Sequence, residues 1–317
     1  AQNLRPFGPI GPSRYRLQPH TRKRRPRFTP RYHRRMNRPI GLIAGGGLLP
    51  KLQARGIRDA GHPVACVGLA GQHDNDLPDL CDRFARVGVL RPGSWIKRLR
   101  RWGVDQAVLV GTVDKAAFMY HAKFYSPSFV LQQLPDRRVL WLWYRVLRHD
   151  RRSQRGLGAL ADLLARGGVE LIDTTRYIPE HLAATGVNGA VQPPASARAD
   201  IDFGWPLLMK LNELDIGQAL AVKGGDVIAV EAAEGTARLI TRAGELCPRG
   251  GWTLLKGAPP EKDRRFDVPF IGLQTVEQMQ AAGCRCLAVA AGRVILAERD
   301  KLLPACDAAG IAVVGVE

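Results

Sequence analysis

From residue 39 onward the chain repeats one unit: a short apolar run, a glycine turn, then a stretch with helical periodicity. "PIGLIA" runs into "GGGLLP" and "KLQARGIRDAG", "HPVACVGLAG" follows, and "SWIKRLRRWGV" leads into "DQAVLVGTV". Strand-length apolar runs alternating with helices require a parallel sheet covered on both faces, since each crossover must return the chain to the same direction. Residues 39–120 are therefore expected to form a Rossmann-like half, with Ser94 capping its second helix and Gly103 just past that helix's end.

Residues 121–170 read as helical, through "RRVLWLWYRVLRHD" and "GLGALADLLARGG", before a strand at about 169–173 in "VELIDTTRYIP". "ATGVNGAVQPPASARAD", 184–200, is rich in turn residues and prolines and reads as a linker. Beyond it, "DIDFGWPLLMKLNELDIGQ" opens a second unit with a helix, and "QALAVKGGDVIAVEAAEG" is a hairpin turning at "KGGD". "TARLITRAGEL" is a helix that Thr236 can cap, and "GGWTLLKGAP" is a strand. "CLAVAAG" is expected to pair with "RVILAE" as a short hairpin, and "IAVVGVE" is the last strand. The reading is α/β with two domains. Residues 1–37 form a basic tail, 38–183 an N-terminal Rossmann-like domain with a parallel sheet, 184–200 a linker, and 201–317 a C-terminal catalytic domain with a mixed sheet.

The formal charge of +18 suggests nucleic acid until its distribution is considered. Residues 1–38 hold twelve Lys or Arg and no acidic residue, two-thirds of the whole excess. Such a tail cannot bury enough apolar surface to fold alone, and Met36 ahead of the first strand makes 1–35 read as an extension. The six cysteines lack CxxC spacing and form no zinc set with the seven histidines, as in a reduced, cytoplasmic protein. Cys284 and Cys286, two apart on a strand, are expected on one face as buried apolar groups.

Two stretches carry chemistry. "AGGGLLP" follows a strand and opens a helix, where backbone N–H groups suit a phosphate. Pro50 stands where a dinucleotide fingerprint needs glycine, and no acidic residue closes the second strand, so NAD is not expected. Gly111 and Thr112 end the third expected strand, which places them beside Gly45–Gly47. A tight strand-to-helix crossing would use the same glycines. "KGAPPEKDRRFDVP" brings Lys256, Asp263, Arg264, Arg265 and Asp267 together, after "AVEAAEGT" has placed Glu231 at a strand end. Carboxylates beside guanidiniums are what Mg²⁺ and a pyrophosphate require, although a solvated ion-pair network would use the same residues.

"GLIAGGGLLP", "LDIGQALAV", "IAVEAAEGT", "KDRRFDVPFIG" and the closing "IAVVGVE" resemble, in that order, the UDP-2,3-diacylglucosamine pyrophosphatase family of the LpxI type. The resemblance covers residues 38–317 and is strongest over 214–272. Two departures stand out: Ala237 where the family commonly has an acid, and Pro259 where it commonly has a lysine. The resemblance implies a cytoplasmic enzyme of lipid A biosynthesis that splits UDP-2,3-diacylglucosamine, with Mg²⁺, into UMP and 2,3-diacylglucosamine 1-phosphate. The expected catalytic set is Asp263, Asp267, Arg264, Arg265 and Lys256, with Asp263, Asp267 and Glu231 on the metal. Substrate contact is expected at Gly45, Gly46, Gly47, Gly111 and Thr112 on one side, and at Gln218, Glu234, Gly235 and Thr236 on the other. Apolar helices such as 139–147 are expected to shelter the acyl chains. The reading leaves room for contact with the inner-membrane surface and for a homodimer, with nucleic acid reached only through the tail. A binding protein of the same fold that holds a nucleotide or phospholipid without turnover is the alternative.

Overall fold

A computed structural model describes residues 38–113, 134–142, 144, 153–259, 263–266 and 268–317. The basic tail and Asp267 lie outside the described residues, as does most of the stretch between 114 and 152.

The first sheet is parallel and ordered β3-β2-β1-β4-β5, from β1 (Ile40–Ala44), β2 (Val64–Leu69), β3 (Arg83–Val87), β4 (Gln106–Val110) and β5 (Glu170–Leu171). Every residue of β1 and β2 is buried, as expected of strands covered on both faces. On one face Leu42, Ala44, Cys66 and Val108 pack on Ala54 and Ile57 of α1 (Leu48–Asp59). On the other, Ile43, Ala65 and Val67 meet Trp95, Ile96 and Leu99 of α2 (Pro92–Arg101). A short helix, α3 (Arg137–Leu142), precedes α4 (Ser153–Arg166), whose Ala161 and Leu164 complete that second face.

Two helix starts differ from the sequence reading. α1 begins three residues early, because Pro50 is tolerated in a first turn that has no use for its missing N–H. α2 begins at Pro92 with Arg91 as its N-cap, which moves Ser94 inside the helix. β3 escaped the sequence reading altogether: its residues are half-buried or exposed at the sheet edge, so "RFARV" shows no continuous apolar run.

The second sheet is mixed, ordered β6-β13-β11-β9-β7-β8. β6 (Gly186–Val187) lies within the expected linker and pairs antiparallel with the last strand, while α5 (Ala195–Glu213) starts before that linker ends. β7 (Ala219–Lys223) and β8 (Asp226–Val230) form the expected hairpin, its turn made by Gly224 and Gly225, both at positive φ. α6 (Thr236–Leu246), β9 (Trp252–Lys256), β10 (Phe270–Ile271), α7 (Leu273–Ala281) and β11 (Cys284–Ala290) follow. β12 (Ile295–Leu296), α8 (Arg299–Ala308) and β13 (Ala312–Val316) close the chain. β12 does not form a hairpin with β11; it pairs in parallel with β10 as a separate ribbon. α6, α7 and α8 cover one face of the sheet, and α5 covers the other with Ala197, Ile201 and Leu208.

Cys284 and Cys286 are both buried but occupy opposite faces, because the register with β9 shifts between them. A bulge adds a residue and breaks the alternation that spacing alone implies. Among the described residues no helix is long and apolar enough to cross a membrane.

Candidate functional site

The second sheet delivers three charged or polar groups to one end. β7 lies between β8 and β9, and its first residue, Ala219, pairs with Lys256 at the end of β9. On its other side Ala219 accepts a backbone hydrogen bond from Glu231, just past β8, at 2.9 Å. Gly217 permits this closeness: a Cβ there would lie 1.9 Å from the Glu231 carbonyl oxygen. Gln218 is held in the same seam, its carbonyl accepting from the Gly257 N–H at 2.9 Å.

Residues 231–235 then turn the chain into α6, whose first residue is Thr236. Thr236 does not cap the helix; Gly235, at φ +83°, is the N-cap. The Thr236 hydroxyl is used elsewhere. Lys256 Nζ donates to Thr236 Oγ1 at 2.6 Å, and Thr236 Oγ1 donates to Glu231 Oε1 at 2.8 Å. Lys256 is 4% exposed and Glu231 5%, so both charges have been withdrawn from water around one hydroxyl. Burying charge is expensive unless pairing or a ligand offsets it. Among the described residues Glu231 Oε2 is buried with no hydrogen-bond partner.

α6 also opens without a side-chain cap, leaving backbone donors of its first turn available to an anion. Glu234 folds back instead of capping. Its own N–H and that of Ala232, with the Arg242 guanidinium 3.0 Å away, hold its carboxyl below the usual range.

The Asp/Arg stretch lies in the connection from β9 to β10 and reaches the first domain. Arg265 grips Asp263 with both Nε and Nη2, the latter at 2.6 Å. That contact is the main cause holding the Asp263 carboxyl below its ordinary range. Arg264 turns away from its neighbour. Its Nε stands 3.1 Å from Asp173 Oδ2 and its Nη2 donates to Thr175 Oγ1 at 2.5 Å. Its carbonyl accepts from both the N–H and the hydroxyl of Thr174, each at 2.9 Å. Phe266, 5% exposed, is buried in the core of the parallel sheet beside Trp95, Leu99 and Leu164. The Arg265 guanidinium stacks over it, 5.7 Å from the ring centre.

As for the expected metal set, both oxygens of Asp263 already accept from Arg265, and Asp267 lies outside the described residues. Among the described residues no three His, Cys, Asp or Glu side chains are grouped to hold a metal.

The first domain's glycine turn is built as its topology implies. Gly46 and Thr112 exchange two backbone hydrogen bonds of 2.9 Å, and a Cβ on Gly45 would lie 2.4 Å from the Thr112 carbonyl oxygen. Gly111, at φ +98°, packs against Gly45, where a Cβ would lie 2.8 Å from the Gly45 carbonyl carbon. The anion position at the start of α1 already holds a carboxylate, however: the Gly47 N–H donates to Asp74 Oδ1 at 3.2 Å. Lys51 bridges Asp74 and Asp76 at 2.9 and 2.8 Å. Sequence reasoning missed Asp74, Lys51, Asp173, Thr174 and Thr175. The available signal was "DTT" directly after a parallel strand, where such sheets carry their functional side chains.

A model of the LpxI N-terminal domain matches residues 39–181, and one of the LpxI C-terminal domain matches residues 184–314. A protein named UDP-2,3-diacylglucosamine pyrophosphatase LpxI, from Caulobacter vibrioides, is 30% identical over 290 residues. The match spans 88% of this chain and 98% of that relative.

Proposed function

The chain belongs to the LpxI family, and we propose that it hydrolyses the pyrophosphate of UDP-2,3-diacylglucosamine to UMP and 2,3-diacylglucosamine 1-phosphate, a step of lipid A biosynthesis. The observation that carries the reading in this molecule is the buried Lys256–Thr236–Glu231 set at the uncapped start of α6. It offers an anion a cation and helix N–H groups, with the Thr236 hydroxyl holding Lys256 and Glu231 together, and it leaves one carboxylate oxygen unused.

In this reading Lys256 and the first turn of α6 receive phosphate oxygens and offset the charge that grows on them during cleavage. Gly235 lets the backbone approach closely, and Thr236 keeps Lys256 and Glu231 in fixed relation. The unpaired Glu231 Oε2 fits a divalent cation, with Asp267 as a further ligand contributed by the Asp/Arg stretch. Bound Mg²⁺ would neutralise pyrophosphate charge and polarise the phosphorus under attack. Arg264 and Arg265 line the approach from the first domain, while Gly45–Gly47, already supplied with the Asp74 carboxylate, are the weaker phosphate site. Leu214 and Ile216, exposed directly ahead of Gly217, give acyl chains an apolar surface beside the site. The helix expected for that role is described only over 137–142 and at 144. A cytoplasmic location next to the inner membrane suits a lipid substrate of this kind.

The test is UMP release from UDP-2,3-diacylglucosamine by the purified full chain, with Mg²⁺ and with excess chelator. Metal-dependent release is expected. Tight binding of the intact lipid nucleotide with no UMP formed would replace hydrolysis by the binding-protein reading.

A further inference from the structure

We infer that Asp173 and Thr175 are positioning residues for the reaction, acting by clamping Arg264 and so fixing the segment that carries the Asp/Arg cluster. The inference rests on the proposed hydrolysis for its consequence, but not for its geometry. Asp173–Thr175 leave β5 at the carboxyl edge of the parallel sheet, in the first domain. Arg264 belongs to the connection between β9 and β10, in the second. Four contacts join them: Asp173 and Thr175 hold the guanidinium, and Thr174 holds the Arg264 carbonyl twice.

The clamp is itself built, not incidental. Asp173 Oδ1 accepts from both the N–H and the hydroxyl of Thr175 at 2.7 Å, which leaves Oδ2 to face Arg264. Thr174 and Thr175 are 2% and 4% exposed. The Thr174 carbonyl accepts from Gln53 Nε2, a fully buried side chain of α1, so the segment is tied to the helix that follows the glycine turn. Among the described residues Arg264 Nε makes no hydrogen bond, so Asp173 acts on the guanidinium as an ion pair at 3.1 Å while Thr175 Oγ1 accepts from Nη2. Together they fix the orientation of the planar fork and, among the same residues, leave Nη1 for a ligand. Arg265 needs no such clamp because Asp263 holds it.

Arg264 acts on the substrate; Asp173 and Thr175 act through Arg264. Misplacing a charge-stabilising group by about 1 Å can cost about 100-fold in rate. Asp173→Asn and Thr175→Val are therefore expected to lower kcat about 10- to 100-fold with KM changed less than about threefold. Thr175→Ser, which keeps the hydroxyl, is expected to restore most of the rate. In an Arg264→Ala background Asp173→Asn is expected to add less than twofold, since the group it positions is gone. Rotation of the Arg264 guanidinium about Nε–Cζ, read by ¹⁵N NMR on the full chain, should be slow in the parent protein and fast in Asp173→Asn. Equal losses with and without Arg264, no rescue by serine, or unchanged guanidinium rotation would overturn the inference. A parent protein that releases no UMP sinks the proposed reaction instead, and the NMR comparison still decides the clamp. If Asp173→Asn does not fold, Thr175→Val and Thr175→Ser carry the same comparison.

Discussion

Phe266→Ala should weaken a domain that lies far from it in the chain. Phe266 follows Arg265 in a connection of the second sheet, yet its ring is 5% exposed inside the cluster formed by Trp95, Ile96, Leu99, Ala161 and Leu164 under the parallel sheet. Truncating a buried phenylalanine removes its transfer free energy and leaves a cavity that the surroundings close only in part, together worth roughly 3–5 kcal/mol. Phe266→Leu fills most of the space and should cost about 1 kcal/mol. The first assay is urea unfolding followed by tryptophan fluorescence, since Trp95 sits in the same cluster. The second is amide hydrogen exchange in α2 and α4, which should quicken in Phe266→Ala while exchange in β11 and β13 holds. Hydrolysis should fall as well, because the anchor of the Asp/Arg stretch is lost. A stability loss under about 1 kcal/mol, or faster exchange confined to the second sheet, would refute the argument that this residue completes the first domain's core.

Glu231→Gln keeps an acceptor for the Thr236 hydroxyl but removes the charge from the buried unpaired oxygen. It should fold normally and require at least about tenfold more Mg²⁺ for half-maximal hydrolysis, measured by metal titration; an unchanged requirement would remove Glu231 from the metal. Asp263 has its carboxyl held below the ordinary range by Arg265, so its contribution to stability is present above the ordinary carboxylate value and lost as pH falls through the lowered one. Arg265→Ala should therefore cost no more than about 1 kcal/mol at pH 7, because both side chains are partly exposed. The difference from the parent should narrow as pH falls below the ordinary carboxylate range and through the lowered value, which urea midpoints at neutral and at acid pH would show.

The architecture was legible where burial writes itself into the sequence. β1, β2, β9 and β11 are strand-sized apolar runs because both faces of their sheets are covered, and "KGGD" marks its hairpin because two successive residues need positive φ. Legibility failed at edges and irregularities. β3 is half-exposed and β5, β6, β10 and β12 are two residues long, too short to show a period. The bulge at Arg285 is invisible to spacing, so Cys284 and Cys286 were expected on one face. Pro206 lies inside α5, where propensity argues against a helix and packing on Leu220, Val222 and Leu255 prevails.

The site shows a sharper limit. Spacing announced a dense charge cluster at 263–267, and density suggested one shared task. The structure divides the described part of it: Asp263 and Arg265 satisfy each other, while Arg264 reaches back to Asp173 and Thr175, about ninety positions earlier. Neither partner of that second pairing carries a motif, since a carboxylate and a hydroxyl after a short strand are ordinary residues until a guanidinium from another domain meets them. Lys256 makes the converse point. The sequence places it seven positions ahead of Asp263, as though it belonged to the same cluster, but the end of β9 puts it beside Thr236 at the start of α6. Lys256 is thus a buried cation at the start of α6, whatever residue stands at position 259. Strand order, not proximity in sequence, decides which cation stands beside Glu231 and Thr236.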